Sequence, residues 1–429
     1  MEGPESSDSR RLGFLDGLRG IAALDVVVHH FIAAFSPGTY FRADGALASI
    51  PLVLLNGPFA VFVFFALSGF VLSYSVDRHT TPMVTLAGRR FLRLAVPMLA
   101  STWLAWALLS MWGPASQRAA VATGNAWLQG FYWGETPLTL RQATYDALLN
   151  PFRLGESYSN RVLWTMQVEL VGSLALYGVY AWVRPAWRAG GFALLLAAAL
   201  IAGGKLVSYA PMFAGALLYI LWKHGRVARH GLWGAALIVS GLLCGTLAAR
   251  NIRETHFAAA ADFLPAGDAN AYVWATGAVL LLAGVLMSGA AQQVLAGRVP
   301  RFLGRISFAL YLVHEPVLMT LVCAAYLALL TTGSAMAASA ALYIGVVVAL
   351  SYAMARWLDE PLQSSLRRMA PAYPASFMWV AAVAWAGVLA AVSQRLGWSA
   401  WGAVSLLAAG ASACVVVRTV WAAPPRHAA

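Results

Sequence analysis

The sequence predicts an all-α, polytopic integral membrane helical bundle of about twelve spans, ten within residues 1–361 and about two in the tail over 362–429, both termini cytoplasmic. Three observations predict it. Of the 429 residues, 60% are hydrophobic and only 11% charged, whereas a water-soluble domain carries about 25% charged residues. Apolar runs recur along the whole chain at the length of about 20 residues that a helix needs to cross a hydrocarbon layer of about 30 Å. Finally, Lys and Arg outnumber Asp and Glu 29 to 17, and the excess collects on one side once the spans are placed.

The expected spans lie near 17–36, 51–75, 94–112, 161–183, 190–204, 206–222, 231–249, 271–290, 306–330, 337–358, 377–394 and 399–420. The first follows a short polar start and keeps Arg19, Asp25, His29 and His30 with no small-residue cleavage site, so it reads as a retained helix rather than a removed signal peptide. Gly203, Gly204 and Lys205 separate the short fifth and sixth spans, which read as two crossings or one broken pair. No repeat relates the two halves of the chain. With the N-terminus in the cytoplasm and every span crossing, 20 of the 29 Lys and Arg residues fall on the inner side. That is the positive-inside pattern, and it accounts for the net charge of +12 without a nucleic-acid partner. Cys244, Cys323 and Cys414 sit in apolar runs with no CxxC pair, so neither disulfides nor a metal site is expected.

The longest non-spanning stretch, residues 113–160, lies outside in this topology and carries Trp127, Phe131, Tyr132, Trp133, Tyr145, Phe152 and Tyr158. These aromatics read either as a stacking platform for a sugar or as an interfacial belt.

Ionisable groups inside a span are costly and face a cavity or a partner. In the first span, Arg19 and His30 are 11 positions apart, which on an α-helix leaves them about 20° from sharing one line and about 16.5 Å apart along the axis. Arg19 then sits at the cytoplasmic mouth and His30 past the midplane. Asp25 and His29, an i, i+4 pair on another face, are expected to satisfy each other or a neighbouring helix. Glu169 lies about 12 Å from the outer end of the fourth span, at a depth comparable to His30, where it either orients the imidazole or pairs with another buried donor. Arg90 and Arg93 share a face if the third helix already starts there, and guanidinium groups bind phosphate bidentately. The ninth span holds Ser307, Tyr311, His314 and Glu315. Asp359 and Glu360 before Pro361 read as a helix end with its charges in water.

In order along the chain, LDGLRGIAALDVVVHH with Arg19 and His30, FFALSGF from Phe64 to Phe70, the RxxR of Arg90 and Arg93 with Pro97 following, LWTMQVE ending at Glu169, GRISFALYLVHEP and Glu360–Pro361 resemble the acyltransferase family 3 membrane proteins, which O-acylate bacterial surface glycans. The resemblance spans the first 361 residues. It implies that His30 is the catalytic histidine, that Arg19 lines an acyl-CoA path, that Arg90 and Arg93 contact the donor's phosphates, and that Glu169 and Tyr311 stand near the reaction centre.

The expected donor is acyl-CoA, acetyl-CoA first. The expected acceptor is a hydroxyl of an extracytoplasmic glycan or glycolipid, and the expected setting is a bacterial inner membrane with its lipid. Direct transfer and hand-over to a separate extracytoplasmic transferase both fit the resemblance. The residues agree physically, since a cationic inner mouth and a deeper histidine on one helix face suit an anionic head and a thioester on a long thin arm. A proton-coupled secondary transporter is the alternative for a bundle with buried Asp, His and Glu.

Overall fold

The computed structural model describes residues 7–36, 55–78, 81–129, 138–246 and 269–368, together with the isolated residues 259 and 264. The two spans expected near 377–394 and 399–420 lie outside the described residues. Within the described residues the chain is helical, without strands, and nine helices are long and apolar enough to cross a membrane. The protein is an all-α polytopic membrane protein.

Helices α1 (Ser7–Phe35), α2 (Gly57–Asp77) and α3 (Met83–Trp112) come first. α3 starts well before the expected 94–112, so Arg90 and Arg93 stand inside a 30-residue helix rather than ahead of it. Short helices α4 (Ala115–Thr123), α5 (Ala126–Gln129) and α6 (Leu140–Arg153) build the stretch between α3 and α7 (Thr165–Trp182). Helices α8 (Arg188–Ala202) and α9 (Ala210–Lys223) are two packed elements, with Gly203 and Gly204 at φ 66° and 56° turning the chain between them. The order continues with α10 (Gly231–Gly245), α11 (Ala269–Met287) and the short α12 (Gly289–Leu295). Then follow α13 (Arg298–Val317), continued by a π turn over Leu318–Val322 and by α14 (Cys323–Ala328), and finally α15 (Ala335–Met354) and α16 (Glu360–Arg368).

Burial inverts the rule of soluble proteins. α8 and α10 turn Leu194, Ile201, Leu232 and Val239 outward, as apolar side chains in lipid do at no cost. α13, by contrast, is almost wholly enclosed from Ile306 onward and carries the polar residues Ser307, His314 and Glu315 with it. Its principal neighbour is α1. The two run parallel, because Gly17 and Gly20 meet the segment from Leu295 to Gly304 while His30 meets His314 further along. A Cβ on Gly20 would strike the backbone of Leu303 and Gly304, and one on Gly304 would strike the backbone of Asp16. Glycine is what brings these backbones together, as small residues do between membrane helices. Gly69, in the FFALSGF segment, serves α2 likewise, because a Cβ there would collide with the Met212 carbonyl on α9.

Asp359 is a correction to the reading of a solvated helix end. A π turn over Ala355–Asp359 joins α15 to α16, so the helix runs on past Pro361 without a break. Asp359 is buried, while Glu360 ion-pairs with Arg305.

If the α1–α13 seam is a backbone contact, Gly20→Ala should destabilise the protein by about 1–3 kcal/mol, as overpacking does. Gly345→Ala, at a helical site with open space around it, should be neutral or stabilising by up to about 1 kcal/mol. Thermal unfolding in detergent compares the two; equal melting temperatures would refute the seam.

Candidate active site

Arg19 is anchored along the α1–α13 seam. Its Nε donates to Ser307 Oγ at 3.0 Å and its Nη2 to the Gly304 carbonyl at 3.2 Å, with Asp16 at 2.9 Å. The side chain remains 33% exposed, so the guanidinium is fixed in direction without being sealed.

Deeper in the bundle, Arg90 on α3 ion-pairs with Glu169 on α7 and donates from Nε to Ser173 Oγ at 2.9 Å. Ser68 on α2 places its hydroxyl 2.8 and 2.9 Å from the two Glu169 oxygens. Both charged side chains are enclosed, at 10% and 11% exposure. Arg93, one turn on, lies within electrostatic reach of Arg19, Arg90 and Asp359. Among the described residues it forms no hydrogen bond and no ion pair.

At the other end of the seam the rings of His29, His30 and His314 gather. His30 Nδ1 lies 2.9 Å from the Val26 carbonyl and 3.2 Å from His314 Nε2. A carbonyl only accepts, so His30 Nδ1 carries the proton. His314 Nδ1 likewise donates to the Leu310 carbonyl at 3.1 Å, which leaves a lone pair on His314 Nε2 facing His30 Nδ1–H. His30 Nε2 therefore also bears a lone pair, and no described residue hydrogen-bonds to it. Trp127, from the stretch between α3 and α7, brings its ring centre to 5.8 Å from that of His30.

The site is covered by a clamp onto α13. Asp146 on α6 collects the backbone N–H groups of Tyr158 and Ser159 and the Ser157 hydroxyl. The chain so ordered runs into Asn160, whose Nδ2 donates to the Leu312 carbonyl at 2.8 Å, and Val162, whose N–H donates to Glu315 Oε2 at 3.0 Å. Tyr311 donates its hydroxyl to the Val162 carbonyl at 3.0 Å, and its ring centre stands 5.8 Å from that of His314.

The structure thus brings Arg19, Arg90 and Arg93 together, from two helices, and sets His30 at the far end of the face that Arg19 begins. It does not join Glu169 to His30: the carboxylate is held by Arg90 and Ser68, and the partner of His30 is His314. Tyr311 stands beside His314 with its hydroxyl committed to backbone. Asp25 and His29 resolve toward the neighbouring helix, with His29 Nδ1 on the Leu55 carbonyl at 2.7 Å and Asp25 accepting from the Asn56 backbone N–H. Of the loop aromatics, Trp127 reaches the site, Phe152 is buried, and Tyr145 and Tyr158 are exposed. Phe131, Tyr132 and Trp133 lie outside the described residues. Ser173 and Asn160 carried no sequence signal of their own, and the partners taken by Ser68 of FFALSGF and by His314 were not legible. The one available hint was that Ser307, Tyr311 and His314 share a helix face.

A bundle with ionisable groups of this kind at its centre is a functional membrane protein rather than a passive scaffold. The chain belongs to the acyltransferase family 3: the family model described as "Acyltransferase domain" matches residues 12–356, and the protein is a membrane acyltransferase. It is similar to the O-acetyltransferase PaAT-1 of Phomopsis amygdali, with 28% identity over 362 residues, 72% of each chain. No solved structure matches it.

Removing one member of a buried ion pair costs about 3–5 kcal/mol, because the other charge is left uncompensated. Glu169→Gln should therefore lower the melting temperature sharply, and the double variant Arg90→Met/Glu169→Leu should recover most of the loss. A single variant as stable as the parent would show that the pair is not desolvated.

Proposed function

We propose that the protein is an O-acyltransferase that takes an acyl group from acyl-CoA arriving at the arginine-rich end and passes it to a hydroxyl arriving from the opposite end. The observation that carries this reading is the pairing of an unengaged guanidinium, Arg93 on α3 within electrostatic reach of Arg19 at one end of the seam, with an unengaged imidazole nitrogen, His30 Nε2, at the other. A half-buried cation without a hydrogen-bonded partner is costly unless a ligand anion completes it. The phosphates of CoA suit it, with Arg19 and Arg93 as the receiving groups. Arg90, held by Glu169, adds positive potential and shapes the wall.

The distance along α1 from Arg19 to His30, about 16.5 Å of helix rise, suits a donor whose charged head stays at the mouth while its thin arm carries the thioester inward. His30 Nε2 then accepts the proton of the acceptor hydroxyl as that oxygen attacks the thioester carbonyl. When the C–S bond breaks, the imidazolium returns this proton to the departing thiolate. Glu169 acts on this site through Arg90 and Tyr311 through Val162, so both are positioning residues in this scheme.

Acetyl is the favoured group because the relative is named an O-acetyltransferase. A glycan or glycolipid hydroxyl is the favoured acceptor, with Trp127 as a stacking surface beside His30. The positive-inside pattern places the arginine-rich end in the cytoplasm, where acyl-CoA is made, and the setting is a bacterial inner membrane.

Membranes of a deletion strain, complemented with each variant and supplied with labelled acetyl-CoA, offer the native acceptor for a test. His30→Ala should lower kcat by roughly 10²–10⁴-fold, the worth of a general base. Arg93→Ala should raise the KM for acetyl-CoA about 10-fold or more, as loss of a charge-assisted phosphate contact does, while moving kcat far less. Undiminished labelling by His30→Ala would eliminate the base assignment, and an unchanged KM in Arg93→Ala would remove the phosphate role.

A further inference from the structure

We infer that His314 is the positioning partner of the reactive histidine. It holds His30 in the tautomer that frees Nε2 and receives the hydrogen bond that strengthens when His30 becomes cationic. This deepens the proposed function and rests on His30 being the base.

Geometry alone fixes the proton positions. His30 Nδ1 lies 2.9 Å from the Val26 carbonyl, and His314 Nδ1 lies 3.1 Å from the Leu310 carbonyl. Both nitrogens must carry hydrogen, so the 3.2 Å contact between them runs from His30 Nδ1–H to the His314 Nε2 lone pair. His30 Nδ1–H is therefore shared by two acceptors, one on its own helix and one on α13. The Val26 carbonyl is already a helix acceptor and moves with α1. Only His314 ties the imidazole to the second helix of the seam, and ring centres 4.9 Å apart at 48° set its tilt.

Charge makes the contact consequential. When His30 Nε2 gains the hydroxyl proton, the imidazolium has its Nδ1–H already directed at a lone pair, and such a hydrogen bond is roughly twice as strong as its neutral counterpart. Where many histidine bases lean on a carboxylate, this one leans on a neutral imidazole. Glu169 is engaged by Arg90, and Glu315, four residues from Tyr311 on the same helix, is engaged by the Val162 N–H. A neutral partner supports the cation without adding a second anion beside the developing oxyanion. His314 needs no proton transfer for this, and the proton that His30 receives leaves again on the thiolate.

α13 holds His314 in place on three sides. Tyr311, one turn earlier, is fixed to Val162, Glu315 is fixed to the same residue, and Pro316 leads into the π turn at Leu318–Val322. The seam glycines set the helix separation that this contact needs.

The test uses the complemented deletion-strain membranes and labelled acetyl-CoA, with His30→Ala run in parallel. His314→Phe and His314→Met keep the volume and lose the acceptor; each should lower kcat by roughly 10²-fold and leave the KM for acetyl-CoA within about threefold. His314→Gln, whose amide oxygen overlies Nε2, should recover about 10-fold or more of the loss. Equal losses in Gln, Met and Phe, or a loss that appears in KM and not in kcat, would make His314 a packing residue and overturn the inference. Wild-type kcat in Phe or Met would overturn it outright. If His30→Ala alone keeps full activity, the base assignment has failed instead, and the two failures are told apart by that one variant.

Discussion

The close parallel approach of α1 and α13 is the constraint on which the rest of the site depends. Parallel helices hold a constant register along their contact, so a single glycine-lined crossing near Gly20 and Gly304 also sets what meets further on. Arg19 finds Ser307 and the Gly304 carbonyl at one end, and His30 finds His314 at the other. Widen that contact by a methyl group, and both pairs lose their geometry together.

Around the seam, electrostatics follows from the cost of charge in a low-dielectric interior. Arg90, Glu169, Ser68 and Ser173 form a closed set whose donors and acceptors satisfy one another, with three helices contributing. That set stiffens the wall and leaves little for a ligand. Arg93 is different because Asp359 acts on it electrostatically without an ion pair, delivered by a π turn in a segment that sequence alone would end at Pro361. π turns often mark functional positions, and a second one follows His314 and Glu315 at Leu318–Val322. The first carries Asp359 within electrostatic reach of Arg93, and the second begins four residues after His314.

The helical architecture was legible in the chain because lipid forces apolar runs of fixed length, and ten of the twelve expected crossings fall on described helices. Arg19 and His30 were legible as a pair because one helix carries both and its periodicity is known. What lay between helices was not. Glu169 was expected at the depth of His30, but its carboxylate meets Ser68, eleven positions along α2 from the Gly57 that faces His29, so it lies about 16.5 Å nearer the arginine-rich end, where Arg90 supplies the stronger attraction. His314 was visible as a residue of the ninth span and invisible as a partner, since nothing local to GRISFALYLVHEP tells which helix its face meets. Asp359 was misjudged because a proline after two acids ordinarily marks a helix end, and the π turn that carries the chain past it has no clear signature.

The most direct measurement is a map of the detergent-solubilised protein with CoA bound. If the seam is the donor path, the phosphates lie against Arg93 and Arg19, and the pantetheine sulfur lies beside His30 Nε2. CoA density at the opposite mouth of the bundle, or phosphates bound away from both arginines, would contradict it.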